Sequence, residues 1–361
     1  MTRHPRSFPL SACLLACFLL ASCSGSEESA PTTVTIELTT TTAPTTTTTA
    51  APSTTEVAPT TTETVEPGPT LPLTGLEASD DLVAARPALV VKIDNHPDAR
   101  PQSGLNAADI VFEENVESLT RFAAVFQSQD SDPVGPIRSG RTQDVDLLGS
   151  FNSPLFAWSG GNAKVTRAIN DSDLISLNPT TAGTQGGFFR SDDRSEPHDL
   201  YASTTALYTF TPVFAPPPQA QFVFRETDEA FNGEPSTGVD VKMDGVQVNW
   251  TWDNASASYL REQDGKPHDD ADLGQVSAAN VVVLEVDYRA SSADSRSPEA
   301  QTIGTGAAYV FTGGVLIRGT WTREDRLVAF TLIDESGSIL TITPGRTWVE
   351  LARKGSTTPL L

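Results

Sequence analysis

Two stretches decide the fold class: ALVVKI at residues 88–93 and DIVF at residues 109–112. Each is a short apolar run rich in β-branched side chains and bounded by turn residues, the pattern of a strand covered on both faces. Working outward, TRFAAVFQ (120–127) fits a strand or a helix, 142–148 and 162–169 read as helices, and 155–158 reads as a short strand. Strands interleaved with helical stretches predict an α/β or α+β domain over residues 78–215. PVFAPPP at 212–218 breaks the pattern and is the predicted linker. Beyond it, residues 220–355 are strand-rich. Expected strands lie at 239–243, 246–252, 256–261, 281–288, 307–311, 315–321, 328–333 and 339–342, with turn signals at Asp244-Gly245, Gly313-Gly314 and Ser336-Gly337. That rhythm predicts a mainly antiparallel C-terminal β domain, a sandwich or partly open barrel.

The N-terminus carries a different message. Arg3 and Arg6 precede a short apolar run, Phe8 to Ala21, too short for the roughly 20 residues that span a bilayer. Leu20-Ala21-Ser22-Cys23 follows and resembles the bacterial lipobox, so residues 1–22 read as a lipoprotein signal peptide and Cys23 as the lipidated residue. Cys13 and Cys17 fall in the leader, which leaves the mature chain no second cysteine and no internal disulfide. Several acyl chains on Cys23, at about 0.8 kcal/mol per buried methylene, hold a protein stably to a membrane. The expected location is the extracytoplasmic face of the cell membrane. Residues 31–70 contain 19 threonines and 6 prolines, so 23–75 reads as a disordered Thr/Pro-rich tether.

The formal charge is −22 and becomes −24 without the leader, which carries two arginines and no acids. An excess of acid argues against a nucleic-acid partner, which asks for a basic surface. A local basic spot would be an exception in such a chain.

The strings IDNHPDARPQSGLNAADIVFE (93–113), TRF (120–122), VGPIRSGR (134–141), FFRSDDRSEPHDLY (188–201), GKPHDD (265–270), AANVVVL (278–284) and PGRTWVEL (344–351) together resemble the YerB-like lipoprotein family. The resemblance covers nearly all of residues 80–353. It implies an N-terminal domain of unknown function, a separate C-terminal domain, a lipid anchor and an extracytoplasmic site. It implies no reaction.

Several motifs can carry chemistry. Arg138 and Arg141 sit in the Gly/Pro-bounded loop GPIRSGR, just before a predicted helix, where guanidinium forks and free backbone N–H groups together suit an anion. The alternative is that both arginines pair with Asp144, Asp146 or Glu113 and fix the loop. Asp94 and His96 follow the first strand and can act as a base and its orienting partner, or as ordinary turn residues. Arg100, Gln102 and Ser103 extend that loop. Trp158-Ser-Gly-Gly-Asn162 is a strand–turn–helix element that admits an anion or is only a tight connection. Arg190, Arg194, His198 and Asp199 form a polar string that either joins the site or is a solvated loop. His268 with Asp269 and Asp270 reads as a hydrogen-bonding turn, because metal binding asks for a second nearby His or Cys. Trp250, Trp252, Trp321 and Trp348 read as core. The chain has no HExxH, G-x-S-x-G or S-x-x-K.

The expected function is a surface-anchored binding module whose N-terminal cleft, built from Asp94, His96, Arg138, Arg141, Arg190 and His198, takes an anionic small molecule or a wall fragment. No cofactor and no metal are expected. The alternatives are an envelope hydrolase or transferase using Asp94 and His96, and a structural subunit of an envelope complex that meets another envelope protein.

Overall fold

In the computed structural model, which describes residues 68–226 and 228–361, the ALVVKI run becomes strand β1, Leu89–Asp94, with every residue buried. Leu89, Val91 and Ile93 enter one hydrophobic core, while Ala88 and Val90 enter another on the opposite face. Alternate side chains point to opposite faces of a strand, so a run with no polar alternation needs cover on both sides. β2 (Ile110–Val116) and β3 (Leu119–Phe126) follow as a hairpin, then β4 (Leu155–Ala157) and β5 (Ile175–Leu177). The stretch open between strand and helix is thus β3, which pairs antiparallel with both β1 and β2. The predicted helices are α2 (Gln143–Leu147) and α3 (Ala163–Asn170), after a first short helix, α1 (Asp81–Ala85); α4 is Thr204–Tyr208.

The C-terminal segment is mostly antiparallel β. Its principal strands are β6 (Gly238–Met243), β7 (Val246–Asp253), β8 (Ser258–Gln263), β9 (Asn280–Val286), β10 (Gly304–Thr312), β11 (Val315–Arg323), β12 (Thr331–Asp334), β13 (Thr347–Arg353) and β14 (Thr357–Leu360). The turn signals hold at the β6–β7 and β10–β11 hairpins, where Asp244, Gly313 and Gly314 adopt positive φ.

The C-terminal strands divide between two sheets. One eleven-stranded sheet runs β12-β11-β10-β9-β13-β2-β3-β1-β4-β5, with Glu234–Pro235 paired to β11. β13 lies parallel to β9 on one side and to β2 on the other, so it joins the two halves of the chain into one sheet. Trp348 lies on β13, whose apolar run is interrupted by Glu350. The second sheet carries β8-β7-β6-β14, and Val239, Val241, Val248 and Trp250 from it share a core with Val91, Phe122, Val281 and Trp348 of the first. The segment at 212–218 separates the halves in sequence while the hydrophobic core runs through both. Val213 and Phe214 are almost fully exposed there.

The sequence places the end of the tether at residue 75, whereas Leu71, Leu73 and Thr74 are already buried and the Gly345 amide donates to the Thr74 carbonyl at 2.7 Å. The leader, Cys23 and most of the tether lie outside the described residues. Among the described residues no helix is long and apolar enough to cross a membrane.

Candidate functional site

β1 ends at Asp94, and the GPIRSGR loop runs alongside that end. The Asp94 amide donates to the Pro136 carbonyl at 2.9 Å, and the Arg138 amide donates to the Lys92 carbonyl at 2.8 Å. This backbone pairing brings Arg138 Nε to 2.8 Å from Asp94 Oδ2. From the 188–201 string, where Phe189–Arg190 pairs with Leu200–Tyr201, His198 Nδ1 reaches the same oxygen at 2.7 Å. The amide of His96 donates to Oδ1 at 3.2 Å. Burial alone would raise the Asp94 carboxyl; the hydrogen bond from His198, the charges of Arg138 and Arg121 and the His96 amide outweigh it and hold the carboxyl below its ordinary range. An ionised carboxylate only accepts, so the proton between the two groups sits on His198 Nδ1 and leaves Nε2 free.

Asp94 therefore has a histidine partner, but it is His198 and not His96. The His96 side chain stacks on His198 instead, ring centroids 4.3 Å apart and planes 13° apart. Its Nδ1 accepts from the Asp98 amide at 3.2 Å and starts a short turn.

Arg138 and Arg141 do not meet at the start of α2. Arg141 turns to Glu117 and Ser297 Oγ, both at 3.0 Å, while its own amide is taken by Asp144 Oδ2 at 2.6 Å. Pairing with acids is what the loop does, though Arg138 takes Asp94, which the sequence did not suggest. The residue the sequence reading missed is Arg121 on β3, opposite Asp94 in the ladder. It is nearly buried and donates to the Ser139 carbonyl at 3.0 Å; among the described residues no carboxylate is in salt-bridge range, and Asp94 and Glu117 act on it from farther away. Burial and the charges of Arg141 and Arg138 push its guanidinium down to about 9. A cavity of about 490 Å³ opens beside this cluster, lined in part by Ser139, Arg141, Gly160, Gly161, Ser291 and Ser297. The Trp158–Asn162 element forms one wall, but the helix end there is capped. Asn162 Oδ1 accepts from the amides of Lys164 and Val165 at 3.0 Å each.

Arg190 lies outside the Asp94 cluster. It holds Asp199 at 2.6 Å and Glu196 at 2.7 Å, bracing the strand that presents His198. Arg194 ties the same string to the 94–103 loop by donating to the carbonyls of Asp98, Arg100 and Pro101. Gln102 Nε2 donates to the Asp94 carbonyl, and its Oε1 is 2.8 Å from His268 Nε2. His268 is buried beside Arg261, and burial together with the charges of Arg261 and Arg100 keeps it neutral, well below its usual range. Asp270 accepts the amides of Asn106, Asp272 and Leu273, as a hydrogen-bonding turn should. Trp250, Trp321 and Trp348 are core residues and Trp252 packs against that core.

Between the sheets lies a second charged cluster that the sequence reading did not find. Arg261 of β8 donates to Glu113 of β2 at 2.6 Å, and Glu113 stands opposite Glu350 of β13. Lys92 of β1 is likewise buried, paired with Glu114 and, at 2.7 Å, with Asp144. The available signal was a charged residue inside each apolar run: Lys92 in ALVVKI, Glu113 and Glu114 in IVFEE, Glu350 in WVEL.

Residues 73–213 match the N-terminal domain, and residues 239–349 the C-terminal domain, of a family described as "Protein of unknown function (DUF3048)". Over 294 residues the chain is 30% identical to the Bacillus subtilis (strain 168) protein named "Putative lipoprotein YerB", covering 78% of this chain and 85% of that one. The chain belongs to the DUF3048 family. The family's fold is also seen in the crystal structure of the YerB protein from Bacillus subtilis. That structure superposes with a TM-score of 0.70 at 26% identity and covers 81% of this chain and 99% of that chain. The resemblance carried by the loop strings is thereby shown; the Asp94 cluster lies in the family's N-terminal segment, and Ser291 and Ser297 of the cavity wall lie in its C-terminal one.

Proposed function

We propose that this chain is an extracytoplasmic binding module, anchored through lipid on Cys23 and carried on the Thr/Pro-rich tether, whose N-terminal cleft holds an anionic small molecule or wall fragment. The observation that carries this reading is Arg121. A nearly buried guanidinium with one carbonyl partner and, among the described residues, no carboxylate in salt-bridge range, flanked by Arg138 and Arg141, is costly, and Asp94 and Glu117 offset it only from farther away. A bound anion would add counter-charge beside Arg141, in the neighbouring cavity whose hydroxyls and glycines leave room for it, although Glu117 and Asp294 also line that cavity. The relative's name supports the anchor; the Arg121 cluster supports the ligand class.

The test is calorimetric titration of the full chain, in chelator, with inorganic phosphate, glycerol phosphate oligomers and muropeptides. One of these should bind, and Arg141→Ala should weaken it about 10–100-fold, the loss of one charge-assisted hydrogen bond. Its partner Glu117 is substantially exposed, so the melting temperature should barely move. No binding by any of the three anions, or binding unchanged in Arg141→Ala, overturns the reading.

A second reading, a hydrolase or transferase, is favoured by one distance. Asp94 and His198 form an acid–imidazole pair at 2.7 Å with Nε2 free, in place of the expected Asp94/His96 pair. Turnover of wall fragments that is lost in His198→Gln and rises with a single ionisation in the pH–rate profile would support it. Absence of turnover at every pH would remove it.

A further inference from the structure

We infer that His96, Asp98 and His198 form a binding site for a divalent transition-metal ion of the zinc class, with Asp94 as the outer carboxylate that orients His198. The chain has four histidines, and positions 96 and 198, more than a hundred residues apart, are brought into ring-to-ring contact. One donor atom from each imidazole and one Asp98 carboxylate oxygen lie within 4.8 Å of one another. Around a tetrahedral ion with bonds near 2.1 Å, ligand atoms sit roughly 3.4 Å apart. The two rings lie face to face, so closing the set asks them to tilt apart until a nitrogen of each faces one ion, with Asp98 the most exposed of the three groups.

Orientation is the second, independent observation. The Asp94–His198 bond fixes the tautomer with Nδ1 protonated and Nε2 as the free donor, the carboxylate–histidine arrangement that stands behind metal-bound imidazoles. His198 is the held ligand, with its side chain 12% exposed, whereas Asp98 at 75% faces solvent and leaves a coordination position open to water. Two imidazoles and one carboxylate suit zinc, nickel, cobalt or copper and not magnesium or calcium, which want oxygen. Arg138 neutralises Asp94, which is not a ligand. Arg194 donates to the Asp98 backbone carbonyl, and its guanidinium is committed to three such carbonyls. A bound ion would cross-link the 94–103 loop to the 188–201 string. The inference does not rest on anion binding, because no arginine of that cluster is a ligand.

The experiment is titration of the metal-stripped full chain with Co²⁺, followed by its visible d–d absorption, with Zn²⁺, Mg²⁺ and Ca²⁺ as competitors. One equivalent should bind, zinc should displace it, and the two oxygen-seeking cations should not. His96→Ala and Asp98→Asn, both at accessible positions, should each weaken binding at least tenfold, and Asp94→Asn about 10–100-fold through His198. Cu²⁺ electron paramagnetic resonance should show nitrogen coupling from two imidazoles, reduced to one in His96→Ala. If His198→Gln fails to fold, the accessible variants and the resonance spectrum still decide. No cobalt bands, or affinity within twofold of the parent in both His96→Ala and Asp98→Asn, overturns the site.

Discussion

Replacing Arg261 by methionine should unbalance the core between the two sheets. Arg261 is fully buried, donates to Glu113 Oε2 at 2.6 Å and to Gln263 Oε1 at 2.8 Å, and lies 5.0 Å from the Trp348 ring centroid. Glu113 also accepts from Thr120 Oγ1 at 2.7 Å, and its ladder partner Glu350 accepts from Trp250 Nε1 at 2.9 Å. Burial and the Glu113 charge push the Glu350 carboxyl well above its usual range, against the pull of Arg261 and Trp250, so two facing carboxyls share one cation. Methionine keeps most of the stem volume against Trp348 and removes the charge. Breaking a buried pair from one side costs about 3–5 kcal/mol, a large part of a total stability of about 5–15 kcal/mol.

The sign of the pH effect follows. The unfolded chain releases the Glu350 proton in the ordinary glutamate range, near 4.3. The folded chain keeps it longer, so this group's contribution is present at low pH and is lost as pH rises towards the raised value. Without Arg261 the pull that opposes the rise of Glu350 is gone, so the deficit of Arg261→Met should be smaller at about pH 5 than at about pH 7. Urea denaturation followed by tryptophan fluorescence reads both numbers. Adding Glu113→Gln should return part of the loss, with a coupling of about 0.5–3 kcal/mol. A loss under about 1 kcal/mol, or no recovery on adding Glu113→Gln, would refute the view that Arg261 balances these carboxyls.

Asp94→Asn should lower stability at neutral pH by about 1.5–3 kcal/mol, the scale of a hydrogen bond to a charged group. Because the Asp94 carboxyl is held below its ordinary range, its contribution is present above about pH 3.9 and is lost as pH falls through the folded value, so the variant's acid limb should be flatter in thermal melts. Gly238 has φ +148°, and a Cβ there would collide with the Trp250 carbonyl oxygen. Gly238→Ala should cost well over the about 1–3 kcal/mol of an unfavourable backbone conformation alone, while Gly265→Ala, at φ +73° with nothing within 4 Å, should stay inside that range; equal losses in urea titrations would contradict the packing argument.

Much of the layout was legible because it is written in local periodicity. ALVVKI and DIVF announce strands covered on both faces, and the Asp244-Gly245 and Gly313-Gly314 turns fix hairpins within a few residues. The loop strings likewise carried the family. The partners of β13 were not legible: its Glu350 stands opposite Glu113, more than two hundred residues away in the sequence, a pairing no window of sequence contains.

The site shows the same division. Residue type alone picked out Asp94, His96, Arg138, Arg141, Arg190 and His198 as polar residues at the end of the first strand and in the loops that follow it. Which of them touch was decided by the fold. The Lys92–Arg138 backbone pairing sets Arg138 on Asp94, the Phe189–Tyr201 ladder delivers His198 to the same oxygen, and Glu117 draws Arg141 away. Arg121 had no sequence signal beyond its charge, because its meaning lies in which carboxylates fail to reach it. Local sequence determined the strands, the turns and the chemistry available at each loop. Only tertiary structure decided the pairings, since a hydrogen bond or ion pair depends on separations of about 3 Å that long-range packing sets.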